Sequence, residues 1–109
     1  GRQAEAALRA ADLTLNRNVI PNDPSGAWYT SGLRLGTPAL TTLGMGAAEM
    51  QEIAGIVQTV LAGTASSKKK DGTASQVNYE TEPAAIRAAK ARVAELLAKH
   101  PLYPGIDLQ

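Results

Sequence analysis

The sequence contains no cysteine and no phenylalanine. Without cysteine there is no disulfide framework, no thiol nucleophile and no thiolate metal site, and a reducing, cytoplasmic setting is the simplest expectation. Aromatic residues are scarce, with one tryptophan and three tyrosines, and alanine is abundant, so a small core is expected. Neither sign of charge dominates: 11 Lys and Arg face 10 Asp and Glu. Such a balance generates no strong field, which argues against nucleic-acid and membrane-surface partners. The single histidine, His100, cannot complete a zinc site, and no serine sits in a GxSxG turn. No apolar run approaches the roughly 18 residues of a membrane span, and no signal peptide opens the chain. A length of 109 residues allows one domain at most. An opening "GRQAEAAL" without methionine suggests a fragment.

Helical spacing of Ala4, Ala7, Leu8 and Ala11 predicts a short helix over 3–11. "LTLN" (13–16) alternates apolar and polar residues and predicts a strand, and "VIPNDPSG" (19–26) is turn chemistry. A second strand follows in "YTSGLRLGTPAL" (29–40), stopping near Pro38, with a short helical turn expected at 38–43. Residues 45–63 form the clearest helix, with Met50, Ile53, Ala54, Val57, Val60 and Leu61 on one stripe and Gly63 as its stop. A last helix is predicted from Thr81, a possible cap, through Pro83 to Lys99, its stripe made by Ile86, Ala89, Val93, Leu96 and Leu97. Pro101 and Pro104 bar its continuation. Between these helices, residues 64–82 are polar and low in complexity and read as a flexible loop. The fold class is therefore α+β, a small antiparallel sheet covered by helices. Two strands alone are marginal, so a third is expected upstream of Gly1.

The chemistry centres on Arg34. In a strand, alternate side chains point to opposite faces, so Leu33 and Leu35 face a core while Gly32, Arg34 and Gly36 face away. A guanidinium between two residues without side chains leaves room for a ligand, and its planar fork matches a carboxylate or phosphate. An edge position or a structural ion pair is the plainer alternative. Asn16 and Asn18 either cap a local turn or present amides to a heterocycle with mixed donors and acceptors. Lys68, Lys69 and Lys70 lack interleaved aromatics and read as a solvated tether. No general acid–base pair stands out.

The strings "TLNRNVIPNDP", "TSGLRLGTPALTTLGMG" and "HPLYP" resemble the C-terminal small domain of serine hydroxymethyltransferase. That resemblance implies an aspartate-aminotransferase-like fold and pyridoxal phosphate as cofactor. It implies transfer of the serine hydroxymethyl carbon to tetrahydrofolate, the cosubstrate, giving glycine and methylenetetrahydrofolate. By the same resemblance Arg34 holds the α-carboxylate of serine or glycine, and Asn18 lies at the folate pterin. The partner is the enzyme's own large domain, which carries the cofactor, and the full-length enzyme is expected to be a homodimer. Two other readings stay open: a related aldolase or transaldolase with another acceptor, and a non-catalytic anion-binding module. Trp28 and Tyr29 stand where many members have Phe and Val. Lys68, Lys69, Lys70, Lys90 and Lys99 match no cofactor-lysine motif, so the isolated chain is expected to be inactive.

Overall fold

In the computed structural model, which describes residues 1–101, the chain builds five helices and four strands. They are α1 (Arg2–Ala10), β1 (Asn16–Asn18), α2 (Gly26–Tyr29), β2 (Gly32–Arg34), α3 (Pro38–Thr42), α4 (Ala47–Ala62), β3 (Thr64–Lys68), β4 (Ala74–Thr81) and α5 (Pro83–Lys99). The α+β class holds, with the antiparallel pairing divided between two ribbons, β1–β2 and β3–β4. Leu102, Tyr103 and Pro104 of "HPLYP" lie outside the described residues.

Helix α1 is made of strong helix formers, with Glu5 in its first turn and Arg9 in its last, both favourable to the helix dipole. It is the hub of the fold, because it packs against β1, β3, β4 and α4. Its Ala7 and Leu8, with Ala11 beyond its end, meet Leu15, Ile56 and Val60 of α4, and Ala89 and Val93 of α5, in one cluster. The small residues let helix backbones approach closely, as an alanine-rich core without phenylalanine requires. Ile56 takes a fully buried place, while Ala54 of the expected stripe is exposed. On α5, Leu97 is likewise exposed.

Three local expectations shift. Leu13 and Leu15 do point inward, as the alternation of "LTLN" requires, but strand pairing begins only at Asn16. Residues 26–29 form one helical turn where the second strand was expected to open. Thr81 does not cap α5: Glu82 holds that position, and the Thr81 hydroxyl meets that of Thr64 at 2.9 Å.

The largest correction concerns residues 64–82, which form a β-hairpin instead of a loop. Its turn is an Asp-Gly: Gly72 adopts φ +86, and Asp71 accepts from the Thr73 amide and hydroxyl at 3.0 and 2.7 Å. The pairing slips between Ser66↔Tyr79 and Lys68↔Ala74, so β4 carries extra residues there. The Val77 and Asn78 amides donate to Ser75 Oγ at 3.2 and 2.9 Å, and the Ser75 and Asn78 carbonyls are met from outside the hairpin. Gln3 of α1 donates to the Ser75 and Asn78 carbonyls at 2.7 and 2.8 Å and accepts from Ser66 Oγ at 2.8 Å. Tyr79 then packs against the core cluster. Composition alone left the hairpin without a buried face; one glutamine on α1 supplies the anchor.

Candidate functional site

The β1–β2 ribbon has two chemically different faces. Its register pairs Asn16 with Arg34, Arg17 with Leu33 and Asn18 with Gly32. Directly opposed residues share a face, so Asn16, Asn18 and Arg34 stand together, and all three are exposed. Arg17 and Leu33 occupy the other face, where Leu33 packs on the core.

That inner face is fastened to α1. Glu5 accepts from the Arg17 amide at 2.7 Å and from its guanidinium at 3.3 Å. Arg17 and Arg2 also lie over the exposed Trp28 ring, 5.4 and 5.2 Å from its centroid. Arg9 donates to the Leu15 carbonyl at 2.6 Å. Each of these arginines is thus engaged. Arg34 differs: among the described residues its guanidinium makes no hydrogen bond and no ion pair. Of the plainer alternatives, a structural ion pair does not apply within them, whereas an edge position with the guanidinium in water fits an exposed residue on a two-stranded ribbon.

The loop between the strands is organised by Asp23, which composition marks only as turn chemistry. Its carboxylate accepts from the amides of Ile20, Ser25 and Ser31 at 3.3, 2.8 and 2.7 Å and from the Ser31 hydroxyl at 2.7 Å. These bonds, the Ser31 hydroxyl first, hold its pKa down at about 2. The signal in the sequence was an aspartate two residues before a serine, the spacing of an Asx turn.

Thr30 stands where this loop enters β2. It adopts φ 59 and ψ 161, a conformation rare for a β-branched residue and costing about 1–3 kcal/mol. Its neighbours support it: the Thr30 amide donates to Gly26 O, and Ser31 is held by Asp23. The Thr30 hydroxyl is buried without a partner among the described residues.

The two glycines beside Arg34 play unlike parts. A Cβ on Gly32 would stand 2.6 Å from Ile20 Cγ2 and 2.8 Å from the Asn18 carbonyl. That glycine permits close packing and leaves no space for a ligand, which corrects the expectation. A Cβ on Gly36 would meet nothing nearer than Pro38 Cδ at 3.7 Å, so of the two glycines only Gly36 stands in open space. Leu35, expected in the core, is 52% exposed, because the strand ends at Arg34 and the alternation lapses.

The remaining candidates lie elsewhere. Lys68 ends β3, and Lys69 and Lys70 sit in the exposed hairpin turn. His100 bridges the end of α5 to α4, its Nε2 3.5 Å from Glu49 and its Nδ1 3.1 Å from the Leu43 carbonyl. A cavity of about 310 Å³ opens along that seam. Its charges answer one another: Arg92 meets Glu52 at 2.7 Å and Lys99 meets Glu95 at 3.4 Å. It is a structural seam. Among the described residues no group of three metal-ligating side chains converges, and no helix is long and apolar enough to cross a membrane.

The sequence model describing serine hydroxymethyltransferase matches residues 1–57, the span that holds both strands of the ribbon and Asn16, Asn18 and Arg34. The chain belongs to the serine hydroxymethyltransferase family. It is 51% identical over 108 residues to a serine hydroxymethyltransferase of Salinispora tropica, covering 99% of this chain and 23% of that protein. It is 49% identical to those of Chlamydia muridarum and Chlamydia caviae, covering 100% of this chain and 22% of each relative. The chain therefore spans less than a quarter of the length of these family members.

Proposed function

We propose that this chain is the C-terminal small domain of a pyridoxal-phosphate-dependent serine hydroxymethyltransferase, in which Arg34 grips the substrate carboxylate and Asn18 meets the folate pterin. The observation that carries this reading is Arg34 itself. Its guanidinium is exposed and unengaged among the described residues, beside two asparagine side chains, within the span that matches the family. Two parallel N–H···O bonds to a carboxylate neutralise its charge and fix the rotation of the amino acid about its Cα. Asn18 donates its amide to the Val19 carbonyl at 2.9 Å, leaving its own oxygen as the acceptor for a heterocyclic N–H.

The cofactor is a different matter. All five lysines are exposed, and Lys99, which lines the α4–α5 cavity, is paired with Glu95. Asp23 is saturated by its loop, and His100 is engaged at the α4–α5 seam. These residues do not fit the cofactor, which this reading assigns to the rest of the longer protein. Serine or glycine and tetrahydrofolate as substrates, a homodimer and a cytoplasmic location complete the reading.

The test is Arg34→Lys in the full-length protein. Lysine keeps the charge and loses the fork, so serine turnover is expected to fall by orders of magnitude while the cofactor absorbance stays that of the wild type. Near-normal turnover would defeat the assignment. Serine cleavage at full rate without tetrahydrofolate would instead favour an aldolase or transaldolase.

A further inference from the structure

We infer that Asn16 is a specificity-determining positioning residue: the uncharged side chain opposite Arg34 that leaves the guanidinium available to an incoming carboxylate. This rests on the carboxylate reading of Arg34.

Asn16 and Arg34 are register partners on the exposed face of the ribbon. Opposed residues of an antiparallel pair hold their Cβ atoms about 4.5–5.5 Å apart, within easy reach of an arginine side chain. At this position an acid would form a cross-strand ion pair, the ordinary partner for a strand arginine. The chain places an amide there, and that amide is turned to its own strand, donating to the Arg17 carbonyl at 2.9 Å.

The acids nearest in sequence are disposed the same way. Glu5 is occupied by Arg17 on the opposite face of the ribbon. Asp23 is occupied by four donors of its own loop. Asp12 lies beyond the end of α1. Among the described residues no carboxylate of this half pairs with Arg34, while its other arginines are engaged. An internal acid at position 16 would compete with an external one for the same fork, and only for ligands that carry a carboxylate.

The experiment is isothermal titration of the full-length, cofactor-loaded protein with glycine and with glycinamide, which keeps the amine and lacks the carboxylate. Asn16→Asp is expected to weaken glycine binding by about three- to fivefold, the upper range for an exposed ion pair, and to leave glycinamide unchanged. Asn16→Ser, which also loses the bond to Arg17 but adds no charge, should bind glycine within about twofold of wild type. In an Arg34→Ala background the Asn16→Asp substitution should cost nothing further. Unchanged glycine binding in Asn16→Asp overturns the inference, as does equal weakening for both ligands or a penalty that persists without Arg34. If Arg34→Ala alone leaves glycine binding intact, the carboxylate reading itself fails, and this inference with it.

Discussion

Replacing Gly32 by alanine separates a glycine kept for packing from one kept for ligand access. The new Cβ would lie 2.6 Å from Ile20 Cγ2 and 2.8 Å from the Asn18 carbonyl oxygen, both inside the closest approach that real Cβ atoms show. The Ile20 methyl can yield by a small rotation. The Asn18 carbonyl cannot, because Asn18 is the register partner of residue 32 and its backbone belongs to the ribbon. Overpacking of this kind costs about 1–3 kcal/mol. Alanine recovers about 0.5–1 kcal/mol of the entropy that glycine loses in a strand. The balance is a loss of roughly 0–2.5 kcal/mol, whose middle is about a tenfold increase in local opening. Hydrogen exchange of the full-length protein reads this directly at the amides of 16–18 and 32–34. Gly36→Ala is the control, since its Cβ meets only Pro38 Cδ at an ordinary 3.7 Å, and protection of the ribbon should not fall. Equal protection in Gly32→Ala and wild type would refute the packing argument and return Gly32 to the role of a spacer beside Arg34.

Two further outcomes follow from single side chains. Gln3→Ala removes three hydrogen bonds that tie the hairpin to α1, so exchange over 64–81 should rise by about one to two orders of magnitude while α4 stays protected. Asp23 titrates near 2 in the folded loop against an ordinary 3.8, so its contribution is complete above 3.8 and is lost as pH falls toward 2. Amide shifts of Ser25 and Ser31 should follow that acid transition, and Asp23→Asn should loosen residues 20–31 at neutral pH and abolish it; an unchanged transition in the variant would assign it to another group.

The helices were largely legible, and for a local reason. A buried stripe repeats every three to four residues, so Ala7, Leu8 and Ala11, or Ala89 and Val93, announce their face without knowledge of what covers it. The hairpin was not legible by that route. Thr64–Thr81 offers Val77, Tyr79 and Thr81 at period two, and Asp71-Gly72 is a strong hairpin signal, but the surrounding Ser and Lys obscured both. Its anchor, Gln3, lies more than sixty residues away in sequence, where local periodicity cannot reach.

At the site, the sequence by itself determined that Arg34 points away from Leu33, because a strand alternates whatever surrounds it. It also determined the family, through residues quoted as they stand. Only the tertiary structure decided which neighbours matter. Pairing of β1 with β2 set Asn16 opposite Arg34 and pressed Asn18 and Ile20 against Gly32. Docking on α1 turned Arg17 to Glu5, and the loop folded back on Asp23 through Ser31. These relations join residues 8 to 18 positions apart, beyond the reach of a local repeat, and those of the ribbon depend on register and packing, which are properties of pairs of segments and of neither one alone.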